Sequence, residues 1–261
     1  MVALRLALRR GSAMKVPMTP RFEALNPERH AGWLLGPHAG YDFLRRLSAV
    51  EVMVNECHRV ACDLPVVWRA TGSETLGMSA ILPPGRDWPI DSEGRWLGTY
   101  LPLLVRVYPF VPGEPGPAGT GAYVDVHSPM VCPPGQAEGD QWHPWFDGKG
   151  AASPALNAVL EVLRGVHRAR QESVAMGRAL QQLQLLRPLP HHDGASQIYL
   201  LDVEAMGKVP PPVEEVFKRR GWMKAAYAQV QSLAHLDVQR FESDEGLERA
   251  LSTSNLKRKS D

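Results

Sequence analysis

Leu64-Pro65-Val66-Val67-Trp68, then Thr71-Gly72-Ser73, then Thr75-Leu76-Gly77-Met78-Ser79-Ala80-Ile81-Leu82 is the stretch whose reading decides the fold. Two short apolar runs, the first rich in β-branched and aromatic residues, flank a turn signal. That pattern predicts an antiparallel hairpin over about 64–70 and 75–82. Toward the C-terminus, residues 104–111, 122–127 and 197–203 read as further strands. On the N-terminal side, Val50, Val54 and Val60, with Glu51, Glu56 and Arg59 between them, predict a helix near 48–61. Pro154 opens a much longer helical pattern, in which Leu156, Val159, Leu160, Leu163, Val166, Leu180 and Leu183 recur at helical spacing up to about residue 186. A helix that long is unusual in a globular domain, and Gly165 and Gly177 are the candidate breaks. Pro210-Pro211-Pro212 leads a short helix to Arg220, and Gly221 separates it from a last helix between Trp222 and about Arg240. The expected class is therefore α+β: a small antiparallel sheet covered by helices, including a long helix near 154–186 and a C-terminal one.

Composition sets the outer bounds. Of 261 residues, 44% are hydrophobic and 22% charged, which excludes a wholly disordered chain and a collagen. No run approaches the roughly 18 uninterrupted apolar residues of a spanning helix, so no integral membrane segment is expected. The net charge of +1 is unevenly placed: residues 1–22 carry +5, residues 257–261 carry +2, and the body between them carries −6. An acidic body repels a phosphate backbone, so no nucleic-acid partner is expected. Residues 1–25 read as a disordered leader, with Met14 or Met18 as the true start. Residues 241–261 read as a flexible charged tail. Cys57, Cys62 and Cys132 are too few for a disulfide framework and suit a reducing cytoplasm.

Candidate chemistry is sparse. Asp125 and His127 are two apart on a predicted strand and share a face, so with His143 or Asp147 they could hold a metal or form an acid–base couple. His191-His192-Asp193-Gly194 is either a catalytic loop or an exposed turn. Cys57-His58 with Cys62 falls short of a structural zinc set and reads as a helix with a buried cysteine. No phosphate-binding glycine loop, nucleophile elbow or zinc helix is present, so no cofactor or metal is expected. The strongest local signal is aromatic. Trp88, Trp96, Tyr100, Tyr108 and Phe110 are interleaved with Arg86, Arg95 and Arg106, an arrangement suited to cation–π contacts. Trp96, Tyr100, Arg106, Tyr108 and Phe110 are the candidate ligand-binding residues. The same cluster also reads as core, with Arg106 buried on the face of Tyr108 and Phe110 and paired to Glu56 or Asp125.

An ordered series of motifs resembles the SapC family, bacterial proteins named for an S-layer-associated gene. Pro27-Glu28-Arg29-His30 is similar to its N-terminal P-x-x-H, and Glu56 stands where the family tends to place an acid. Residues 64–68 are similar to its YPIVF strand. Gly94-Arg95-Trp96 with Tyr100-Leu101-Pro102 resembles its G-x-W…Y-x-P segment, and Arg106-Val107-Tyr108-Pro109-Phe110 its RRYPF motif. Phe146-Asp147-Gly148-Lys149-Gly150 resembles its F-D-x-x-G turn, and Gly221-Trp222 with Ala226-Tyr227-Ala228-Gln229 and Ser232-Leu233 its C-terminal helix. Val107 stands in place of the motif's second arginine, and Gln229 in place of a helix histidine. The resemblance spans about 26–240, taken as one domain. It implies an accessory role, because family members tend to be encoded beside flavin-dependent tryptophan-halogenase-like proteins and outer-membrane receptors. The expected function is a non-catalytic binding or accessory protein with a protein partner, one candidate being such a halogenase-like enzyme. The alternative is a metal-assisted enzyme using Asp125, His127 and His143.

Overall fold

A computed structural model describes residues 20–70, 75–82, 87–113, 121–137, 139, 141–189 and 198–236. The leader up to residue 19, the turn at Thr71-Gly72-Ser73, Arg86, residues 114–120, the His191-His192-Asp193-Gly194 segment and the tail from residue 237 lie outside the described residues. In chain order the strands are β1 (Phe22–Ala24), β2 (Leu34–Leu35), β3 (Ala49–Val52), β4 (Val66–Ala70), β5 (Leu76–Ile81) and β6 (Phe110–Pro112), then β7 (Ala122–Asp125), β8 (Val131–Cys132), β9 (His143–Pro144), β10 (Leu186–Pro188) and β11 (Ile198–Leu201). The helices are α1 (Cys57–Val60), α2 (Leu103–Arg106), α3 (Pro154–Gln182), α4 (Val203–Met206), α5 (Pro211–Arg219) and α6 (Trp222–Ser232). The described residues group into two interleaved units. One holds Tyr41–Pro102 and residues from 169 onward; the other holds residues up to 40 and Leu103–Arg168. Helix α3 contributes its first half to the second unit and its last half to the first.

The first unit is built on a five-stranded antiparallel sheet of order β10-β11-β4-β5-β3. The predicted hairpin is its centre: Val66 pairs with Ala80, Trp68 with Met78 and Ala70 with Leu76. Every residue of β5 is buried, as expected for a central strand covered on both faces. One face carries Val67, Ile81, Ile198 and Leu200, packed with Leu189 and Leu236. Helix α6 ties its side chains to strand backbones: Ser232 Oγ accepts from the Val66 N–H at 2.9 Å, and Gln229 Oε1 accepts from the Leu201 N–H at 3.1 Å. Two contacts fix the last half of α3. The Ser173 hydroxyl accepts from the Val54 N–H at 2.9 Å. Arg170 grips Glu51 of β3 with two hydrogen bonds of 2.7 and 2.6 Å. Gly177 lies where an added Cβ would stand 2.6 Å from the Leu76 carbonyl oxygen. The glycine is therefore required by close helix–strand approach, and α3 runs unbroken through it.

The second unit has two three-stranded antiparallel sheets, β1-β7-β6 and β8-β2-β9. Its core gathers Leu25, Phe110, Val124, Trp145 and Phe146 with Leu156, Leu160 and Leu163 from the first half of α3. The Phe146–Gly150 segment turns as its composition predicts: Asp147 Oδ1 accepts from the Lys149 and Ala151 N–H groups, and Gly150 has φ of 80°.

The α+β class, the long helix and the C-terminal helix are as expected; the strands divide among three sheets. Three local readings are corrected. Residues 48–61 are not one helix: Ala49–Val52 form edge strand β3, with Val50 and Val52 buried and Glu51 partly exposed, and only Cys57–Val60 are helical. The alternation of period two was hidden because the strand, a turn and a one-turn helix together mimic helical spacing. Residues 104–111 are not one strand: Leu103–Arg106 make a helical turn, and β6 starts only at Phe110, after the cis Tyr108–Pro109 bond. A short apolar run does not distinguish these states by periodicity. Residues 22–24, read as the end of the leader, form β1, and Leu25 is fully buried.

Candidate functional site

Strand β1 lies beside β7, so Phe22 faces Asp125 and Glu23 faces Val124. Just past β1 the chain turns at Asn26. Its side-chain oxygen accepts from the Glu28 and Arg29 N–H groups at 2.8 and 3.0 Å, as a capping residue does. A single turn follows rather than a helix, and it places His30 inside the second unit with no exposed surface. Its ring lies edge-on to Trp33, with centroids 5.3 Å apart, and 5.6 Å from Trp145. Trp33 and Trp145 are themselves 5.6 Å apart, and Phe110 closes on Trp145 at 5.4 Å. The backbone supports this cluster, because the Trp145 N–H donates to the Trp33 carbonyl at 3.0 Å.

Two ring nitrogens in this apolar setting have no partner: His30 Nε2 and Trp145 Nε1. His30 Nδ1 lies 3.1 Å from both the Asn26 backbone nitrogen and the Asn26 carbonyl oxygen, accepting from the one or donating to the other according to its tautomer. The nearest carboxylate oxygen, Glu23 Oε2, is 3.9 Å from Nε2, beyond hydrogen-bonding reach. Glu23 instead faces outward to Arg29 at 2.7 Å and Arg21 at 3.0 Å. Burial, the largest influence, holds the His30 pKa below its ordinary value; the Asn26 backbone and the Glu23 charge oppose it, and Arg29 adds to it.

Asp125, at the end of β7, is buried and accepts hydrogen bonds at both oxygens. Its Oδ1 accepts from the Arg21 N–H at 2.9 Å and the His127 N–H at 3.1 Å, and its Oδ2 accepts from the Tyr108 hydroxyl at 2.7 Å. It acts as a tie between β7, the chain before β1 and the segment before β6. His143 is exposed on β9, and Asp147 is committed to its turn. Among the described residues, no group of three His, Cys, Asp or Glu side chains is placed to hold a metal ion.

The five candidate ligand residues divide between the units. Trp96 and Tyr100 belong to the first; Arg106, Tyr108 and Phe110 belong to the second. Phe110 is core, only 1% exposed. Arg106 is exposed at the end of α2, so the expectation of a buried arginine is corrected: one helical turn replaces the strand that would have aimed it inward. Glu56 is buried and accepts from the Met53 N–H at 3.1 Å. The cation–π contact that forms at Tyr100 is from Arg59, at 4.7 Å, while Arg95 pairs with Asp91 and Glu93. Cys57 is the buried cysteine expected: its thiol donates to the Ala225 carbonyl, and burial with the nearby Glu56 charge pushes its pKa up to about 12. Sequence reasoning did not single out Glu23, Trp33 or Trp145. The one signal for this cluster was His30 within the P-x-x-H motif, since nothing in spacing joins residue 33 to residue 145.

No curated protein and no solved structure matches the chain. The SapC family model matches residues 25–238, a span that begins just after β1 and takes in the His30 turn, strands β2 to β11 and α6. On that match, which covers most of its length, the chain belongs to the SapC family.

Proposed function

We propose that the chain is a non-catalytic binding or accessory protein acting in the cytoplasm. The observation that carries this reading is the state of Asp125. A general base or metal ligand needs a free lone pair facing a substrate. Both Asp125 oxygens instead hold the fold together through Arg21, His127 and Tyr108. The other buried acid and thiol near the family motifs, Glu56 and Cys57, are likewise bonded to backbone groups. A metal-assisted reaction through Asp125, His127 and His143 would require Asp125 to surrender those bonds. The family's genetic company supplies the candidate partner, a flavin-dependent tryptophan-halogenase-like enzyme.

Co-expression of the full chain with such an enzyme from the same genome tests the proposal. Co-elution on size exclusion at micromolar concentration, with no turnover by the chain alone, is the expected result. Absence of a complex, together with one metal per chain that is lost on His127→Ala, would overturn it and favour the enzyme.

A further inference from the structure

The face of the five-stranded sheet that carries Val67 also carries charge. Register sets Arg69 opposite Ile198 and Arg187 opposite Leu200, so both arginines share the face of Val67, Ile198 and Leu200. Arg69 is partly buried there, and loss of solvent holds its pKa below the ordinary value. Across from it on β5 stands Gly77, with no side chain to share the space. Among the described residues the Arg69 guanidinium group has neither an ion-pair nor a hydrogen-bond partner. The one acid that the strands add to this face is Glu51, in line with Ser79 and Val67, and Arg170 already holds it at two points. Exposed Arg187 is likewise unpaired among the described residues. A cation withdrawn from water without a counter-ion is costly, so this face is short of a negative charge.

The chain itself leads to that spot. Leu236, the last described residue, packs in the cluster of Val67, Ile198 and Leu200. From there the sequence runs Asp237-Val238-Gln239-Arg240-Phe241-Glu242. Arg69 is two residues from Val67, about 7 Å along the strand. Six residues beyond Leu236 span up to about 20 Å, so the carboxylates at 237 and 242 can both reach the guanidinium group. We infer that residues 237–242 dock on this face, with Asp237 and Glu242 supplying the counter-ion of Arg69. Val238 and Phe241 extend the apolar contact that Leu236 begins. Connectivity selects this occupant over a free acid: the segment is tethered at the face, so the pairing carries no cost of bimolecular association. A guanidinium group also offers a carboxylate two parallel hydrogen bonds. Once seated, the segment closes the face to any other acidic ligand. The inference goes beyond the protein-partner reading above and does not rest on it.

The test uses the full chain. Amide hydrogen exchange of residues 237–242 is followed by mass spectrometry, and the Arg69 Nε–H resonance by nitrogen–proton spectra. In the wild type the segment should exchange about ten-fold or more slowly than an unstructured peptide of the same sequence. Arg69→Gln should remove that protection, and so should the double substitution Asp237→Asn with Glu242→Gln. All three substitutions together should lose no more than either set alone, because they break the same pair. The double substitution should also shift the Arg69 Nε–H signal. A wild-type segment that exchanges as an unstructured peptide overturns the inference, as does protection that survives Arg69→Gln or losses that add. If Arg69→Gln does not fold, the double variant decides: unchanged protection and an unmoved Arg69 Nε–H signal overturn it equally. A signal that moves when sodium acetate is added to the wild type, while the segment exchanges freely, assigns the seat to an external carboxylate and also overturns it.

Discussion

Alanine at position 177 should destabilise the protein, while the same substitution twelve residues earlier in the same helix should stabilise it. Both glycines lie inside α3, where alanine is intrinsically favoured by about 0.8–1.0 kcal/mol. At Gly165 an added Cβ meets nothing within 4 Å, so that preference acts unopposed. At Gly177 the added Cβ would stand 2.6 Å from the Leu76 carbonyl oxygen, 3.2 Å from Leu76 Cβ and 3.3 Å from its carbonyl carbon. Leu76 is the first residue of the buried central strand, so the backbone atom in the way has little freedom to retreat. Relief requires α3 to lift from β5, at an overpacking cost of about 1–3 kcal/mol, against which the helix preference offsets about 1. The net expectation is a loss of up to about 2 kcal/mol for Gly177→Ala and a gain of about 0.5–1 kcal/mol for Gly165→Ala. For a chain of this size those correspond to up to about 8 °C down and about 1–4 °C up in melting temperature. Urea and thermal melts of the two variants give the comparison directly. Equal shifts of the same sign would refute the assignment of Gly177 to close approach.

Phe110→Ala should cost about 3–5 kcal/mol in a denaturant melt, because the ring is 1% exposed and packs edge-on against Trp145. Tyr108→Phe should cost about 1–3 kcal/mol by removing the hydroxyl donor to buried Asp125; full stability would show that the tie carries nothing. Iodoacetamide at pH 8 should label exposed Cys62 in the native protein and leave Cys57, with its thiol at about 12, unmodified by mass spectrometry. His30 has a folded pKa below the unfolded 6.5, so the unfolded chain takes up its proton first on acidification. Stability should therefore fall as pH drops through about 6.5, and His30→Gln should flatten that part of the profile of melting temperature against pH.

What the sequence revealed depended on whether a signal was local. The central hairpin was legible because Val66, Val67 and Trp68 are β-formers bounded by a turn, and β4–β5 pairing needs nothing else. The length of α3 was legible from its leucine and valine spacing, and its glycines then misled, since close approach to a strand and a helix break look identical in one dimension. Residues 49–60 were misread because strand, turn and helix each last only about four residues, too short for either period to declare itself. The aromatic signal between residues 88 and 110 spans the boundary between the units: Trp96 and Tyr100 fall in one and Phe110 in the other. The His30 cluster is the converse case. Its members at 33 and 145 are brought together by the pairing of β2 with β9 and by a backbone bond between them, neither of which leaves a mark in composition.

The two outer strands of the five-stranded sheet constrain how another protein could recognise the first unit. Strand β10 ends in Pro188, whose nitrogen has no hydrogen to offer, and carries Arg187 beside it. Strand β3 holds Glu51 in a two-point ion pair with Arg170. Proline and charge at sheet margins are the devices by which sheets refuse a further strand. Recognition by β-augmentation, in which a partner's extended segment adds to the sheet through backbone bonds, is thus disfavoured at both margins. A partner of this unit would have to read side chains instead, which makes its selection sensitive to single substitutions in a way that backbone pairing is not.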